Sequence, residues 1–224
     1  MHFQVARLQD INRKIQFNCK LNFKNAIDVL ILLEIEQFDL VNLNTLIGAG
    51  VKVLGIKNLA LIEDLRSVAL PVKLHFLGEL QELSQENLEL VLANCAVLET
   101  VSTLEQAEKI SHANALKGRV SEVLMRINVL NEEQKYGFLP AEMIDNFLAI
   151  SNLSGIRVIG LNSYVPAFAK EARLKKALRK LKVLFVMLQQ RYKGIEVLSL
   201  NLQDNLADLI AEGVTEVRMR EREG

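Results

Sequence analysis

Polar side chains recur in this sequence at the ends of short apolar runs. His75 lies in PVKLHF, Asn128 in SEVLMRINV, Ser199 closes IEVLS and Arg218 closes VTEVR. Glu34, Glu36, Lys57, Asn58, Ser102, Asn162, Ser163, Asn201, Gln203, Asp204 and Arg220 stand at or just beyond the ends of similar runs. These residues offer an imidazole, an amine, carboxylates, hydroxyls and guanidinium groups, a set mixed in charge. A lone histidine such as His75 is more often hydrogen-bonded structure than a catalyst. A solvent-facing rim is polar in any fold. Asn128 carries more weight, because it follows an apolar run and is expected to point inward.

Several other chemistries are excluded. The two cysteines, Cys19 and Cys95, form no CxxC pair, and His2, His75 and His112 are scattered, so no zinc site or disulfide framework is expected. Reduced thiols and a cytoplasmic location are the expectation. GxGxxG and GxxxxGK[ST] phosphate loops are both absent. Lys plus Arg and Asp plus Glu number 27 each, and Trp is absent, so neither charge nor stacking surface points to nucleic acid. The basic run KEARLKKALRKLK (170–182) is interleaved with Ala and Leu at helical spacing, as in a helix with one solvated face. The apolar stretch IDVLILLEI has nine residues, far short of a membrane span, and MHFQVARLQDINRK lacks the apolar core of a signal peptide. Neither nucleic acid nor membrane is expected as a partner.

Stepping these residues into place requires a regular alternation of elements. A helix is expected over 5–17, then strands at 28–34, 51–55, 71–76, 96–101, 121–129, 156–161, 195–199 and 214–218. Helical patterns fill 38–48, 57–67, 80–93, 103–115, 140–151, 169–192 and 203–212. The runs are β-branched and nearly uniformly apolar, which suits parallel strands covered on both faces. Gly50 and Gly213 fall where helices should end, and Pro140 falls near a helix start. Eight strands alternating with helices predict an α/β fold: one (β/α)₈ TIM-type barrel over 1–224 with an extra N-terminal helix. Functional residues in such a barrel gather at the C-terminal ends of the strands.

Four segments resemble the pyridoxal-phosphate homeostasis proteins, in order along nearly the whole chain. HFLGELQ (75–81) is similar to their strand-three His-Phe-Ile-Gly-x-Leu-Gln. INVLNEEQKYGF (127–138) is similar to their strand-five segment, and GIRVIGLNSY (155–164) to their strand six. VLSLNLQDNLADLIAEGVTEVRM (197–219) resembles the loop, helix and Arg-containing turn that close their barrel. The resemblance implies an alanine-racemase-like barrel that binds pyridoxal phosphate and helps buffer vitamin B6 and amino-acid pools. It implies cofactor contacts at Lys57, His75, Asn128, Ser199 and Arg218.

The sequence departs from that family at its chemistry. Glu34 stands where the Schiff-base lysine belongs, and no lysine lies between Lys24 and Lys52. A carboxylate forms no imine, and imine chemistry needs an amine of depressed pKa. The phosphate loop is altered too: Asn201, Gln203 and Arg220 replace the family's Gly, Ser and Gly, and Asp204 adds a carboxylate. Lys57 could take over the imine from the neighbouring strand, but a pair with Glu34 would favour its charged form instead. The expectation is a non-catalytic barrel without covalent cofactor, a scaffold or regulatory element with a protein partner. The alternative is non-covalent binding of pyridoxal phosphate or a related phosphate ligand.

Overall fold

The computed structural model describes residues 2–21, 28–33, 40–68, 70–131, 136–164, 171–202 and 206–220. Helix α1 (His2–Leu21) precedes β1 (Asp28–Leu33), α2 (Leu40–Gly48), β2 (Val53–Ile56), α3 (Leu59–Arg66) and β3 (Lys73–Phe76). After a 3₁₀ turn (Leu80–Glu82) come α4 (Gln85–Asn94), β4 (Val97–Val101), α5 (Leu104–Ala115), β5 (Ser121–Ile127) and α6 (Met143–Ser151). The chain ends in β6 (Ile156–Ser163), α7 (Glu171–Arg191), β7 (Val197–Asn201), α8 (Leu206–Ala211) and β8 (Glu216–Arg220). The strands pair in parallel in sequence order and close between β1 and β8. The expected (β/α)₈ barrel with its N-terminal helix is therefore the observed one.

Three helix starts are fixed by side chains that satisfy unpaired N–H groups. Asn58 accepts from Ala60 N at 2.9 Å, Ser84 from Asn87 N at 3.2 Å and Thr103 from Gln106 N at 3.2 Å. Ser84 also explains why the helix expected at 80–93 begins only at Gln85. Asn58, expected on the rim, is thus a helix cap.

Besides β3, which follows Pro71, three strands begin two residues later than the sequence predicts: β2, β7 and β8. Each is preceded by a glycine of positive φ, at Gly50, Gly194 and Gly213. At two of them the helix end closes in Schellman fashion: Gly50 N donates to Ile47 O and Val51 N to Leu46 O, and Gly213 N to Ile210 O and Val214 N to Leu209 O. The apolar residue after each glycine (Val51, Ile195, Val214) plugs the core before strand pairing begins. As a consequence Ser199 and Arg218 sit inside their strands, not at the ends.

The main core lies between strands and helices. Leu54, Ile56, Leu98, Leu161, Leu198 and Val217 meet Ile62, Leu65, Val91, Ile110, Phe147 and Leu181 there. Helix α7 contributes Leu174, Ala177, Leu178, Leu181, Phe185 and Leu188 to this layer and turns Lys176, Arg179 and Lys180 outward. Inside the ring, Val53 and Leu77 pack together apart from that core. Aliphatic side chains usually fill the inside of such a barrel, and here polar ones take much of that volume.

Candidate functional site

Phe76, Leu98, Leu161, Leu198, Leu200 and Val217 all face the outer core. Strand alternation then turns His75, Glu99, Asn162, Ser199, Glu216 and Arg218 to the inside of the ring. All six are buried, Glu99 completely. The closed ring brings them together from β3, β4, β6, β7 and β8.

Glu99 is the hub. Its Oε1 lies 2.8 Å from His75 Nδ1, and its Oε2 accepts from Asn162 Nδ2 at 3.0 Å. Ser199 Oγ bridges the two carboxyl groups, 3.1 Å from Glu99 Oε2 and 2.6 Å from Glu216 Oε1. Arg218 Nη1 lies 3.8 Å from Glu99 Oε2, and Arg218 Nη2 donates to the Ser163 carbonyl. Glu216 Oε2 is 3.7 Å from His75 Nδ1, beyond hydrogen-bond reach.

The two acids are driven apart by their surroundings. Burial alone would raise Glu99, but the His75 hydrogen bond and the Arg218 charge outweigh it and hold its carboxyl below the usual range. Burial and the neighbouring Glu99 charge push Glu216 well above that range. Burial also lowers Arg218, which as an arginine stays cationic.

A second polar layer lies toward the strand ends and uses the segment 75–81. Arg126 Nη1 donates to both oxygens of Glu79, at 2.8 and 2.9 Å. Gln106 Nε2 donates to Gln81 Oε1 at 2.7 Å while its own oxygen accepts from Ser102 N at 2.7 Å. Thr100 Oγ1 donates to Gly78 O at 2.6 Å. Segment 136–138 folds back on the end of β5, with Phe138 N donating to Arg126 O and Asn128 N to Phe138 O. Gly137, at φ 132°, permits this: a Cβ there would lie 2.9 Å from both Arg126 O and Asn128 N.

The structure thus joins three of the residues expected to contact a cofactor, His75, Ser199 and Arg218, in one network. Lys57 follows β2 and is exposed, and Asn128 follows β5 and is half-buried. Asn162 and Ser163, expected beyond strand six, are inside it and buried, because β6 runs to Ser163. Glu34, Glu36, Gln203 and Asp204 lie outside the described residues, as does the side chain of Arg220.

Glu99 and Glu216 are absent from the expected set. Their signal was an acid inside an apolar run, AVLETV and VTEVR. Such a residue is tolerated in a barrel strand only where a cation or donors meet it. His75, Glu99 and Glu216 offer ligand-type atoms within 4.8 Å of one another. Those of Glu99 already face protein donors and the Arg218 cation, an arrangement suited to an internal ion pair and not to holding a cation.

Comparison with known proteins agrees with this architecture. The pattern of the alanine racemase N-terminal domain matches residues 39–219. A pyridoxal phosphate homeostasis protein of Escherichia coli (strain K12) is 29% identical over 145 residues. That match covers 65% of this chain and 61% of the relative, so the chain spans less than two thirds of its length. An unknown protein from Bifidobacterium adolescentis superposes with a TM-score of 0.78 at 21% identity, covering 98% of this chain and 95% of that one. PipY of Synechococcus elongatus, solved without PLP, superposes with a TM-score of 0.73 at 16% identity over 92% of this chain and 97% of its own. PipY with PLP bound gives 0.68 at 18% identity over 90% and 95%.

Proposed function

The chain belongs to the alanine racemase N-terminal domain family, and we propose that within it this protein is a non-catalytic barrel without covalently bound cofactor, acting as a scaffold or regulatory element. One observation carries the reading. Ser199 and Arg218, which the family resemblance assigns to the cofactor, are engaged by the protein's own Glu99, Glu216 and Ser163 carbonyl. A phosphate beside Arg218 would meet the Glu99 carboxylate, and like charges at such range repel strongly in a dry interior. The interior therefore does not fit a phosphate group. Glu34 at the lysine position adds support from the sequence.

A second reading, non-covalent capture of pyridoxal phosphate or a related phosphate, has one specific observation behind it. Arg218 Nε is buried and has no hydrogen-bond partner among the described residues. The two readings separate in one experiment. Thermal unfolding of the full chain is followed with and without saturating pyridoxal phosphate, together with absorbance in wild type and Lys57→Ala. The scaffold reading expects no shift and no aldimine band. Stabilisation by the ligand without an aldimine band supports non-covalent capture, and a band lost in Lys57→Ala would overturn both.

A further inference from the structure

We infer that the folded barrel holds one proton on Glu216, donated to Ser199 and through its hydroxyl to Glu99, so that Glu99 alone carries the negative charge opposite Arg218. This inference does not depend on whether any ligand binds.

Ser199 has one hydroxyl hydrogen, yet its Oγ makes two short contacts with carboxyl oxygens, 2.6 Å to Glu216 and 3.1 Å to Glu99. Were both acids ionised, one contact would set lone pair against lone pair. At 2.6 Å the Glu216 contact has the length of an O–H···O bond, so a hydrogen lies in it. One carboxyl group must therefore supply a hydrogen of its own.

The partners decide which one. Apart from Ser199 and the Glu216 carboxyl itself, the described neighbours of Glu99 donate or are cationic: His75 Nδ1, Asn162 Nδ2 and the Arg218 guanidinium. Glu99 is therefore the acceptor. Glu216 has Ser199 at 2.6 Å and His75 at 3.7 Å, and no closer described donor. The proton belongs on Glu216, and Ser199 relays its hydrogen bond to Glu99.

The groups facing Glu216 are few. They are Glu99 from β4, His75 from β3, Ser199 from β7 and Arg218 from β8 itself. Asp28 is its register partner on β1, with a side chain outside the described residues. Burial and the Glu99 charge both favour the neutral acid.

Folding then takes up a proton at neutral pH. Stability from this group is complete below the ordinary carboxylate range, and it is lost as pH rises toward the raised folded value.

The test uses the full chain. Infrared spectra at pH 7 are expected to show the carbonyl stretch of a protonated carboxylic acid in wild type, moved by ¹³C labelling of glutamate and lost in Glu216→Gln. Glutamine preserves the bond to Ser199, because its amide donates where the acid hydroxyl did. Calorimetric unfolding in buffers of different ionisation enthalpy is expected to release about one more proton from wild type than from Glu216→Gln. Absence of the acid band in wild type overturns the inference, since both carboxyl groups would then be ionised. Survival of the band in Glu216→Gln with unchanged proton release overturns it too. Should the variant fail to fold, the labelled wild-type band alone decides.

Discussion

A buried guanidinium is stable only beside an anion, and at Arg218 that anion is Glu99. The two interior glutamates therefore respond oppositely to the same substitution. Glu99→Gln leaves Arg218 uncompensated and is expected to cost about 3–5 kcal/mol in urea unfolding at neutral pH. Glu216→Gln replaces a neutral acid by a neutral amide, so it is expected to change stability by less than about 1 kcal/mol below the ordinary carboxylate range and to raise it at neutral pH, where wild type must take up a proton to fold. Equal losses from the two would show that both carboxyls are ionised. At this scale the sequence revealed four of the six residues of the network, Asn162 among them. His75, Ser199 and Arg218 stood out because they seemed to end apolar runs. Glu99 and Glu216 lie inside their runs, where neighbouring Leu and Val mask a single charge. What pairs them is the closure of the ring, which no local pattern records.

Eight apolar runs predicted eight strands, because a strand covered on both faces must be apolar almost throughout. The ends were harder to read, since the turn chemistry after Gly50, Gly194 and Gly213 consumes residues that look like strand. Another glycine fixes how closely two strands approach. A Cβ at Gly160 would lie 1.8 Å from the Val197 carbonyl oxygen, at the pairing of β6 with β7. No rotamer change relieves that contact, because backbone meets backbone. Gly160→Ala is expected to destabilise the protein on the order of 3 kcal/mol or more, by separating these strands. At Gly194, where no atom lies within 4 Å and φ is +87°, alanine meets only backbone strain, and a loss near ~1 kcal/mol is expected. Thermal denaturation of both variants checks the contrast, and equal effects would show that the β6–β7 approach is not the constraint.

The molecule as a whole should have a stability maximum set by its interior. Glu99 has a lowered pKa, so its contribution is present above the ordinary carboxylate range and is lost as pH falls through its folded value. Glu216 has a raised pKa, so its contribution is lost as pH rises. Urea midpoints measured across pH should therefore fall on both sides, and Glu216→Gln should flatten the alkaline limb alone. An unchanged alkaline limb would assign that loss to other groups. No helix among the described residues is long and apolar enough to cross a membrane. The closed ring also imposes an order of assembly. Glu99 is placed by β4, but Ser199, which bridges it to Glu216, lies 100 residues later in the chain, and Arg218 lies later still. A chain emerging from the ribosome thus carries an unneutralised acid in its half-built ring until the last strand arrives. Water must remain inside until then, so drying of the interior and docking of β8 are one event. A fragment stopping before β8 would stay wet, open and exposed to proteolysis.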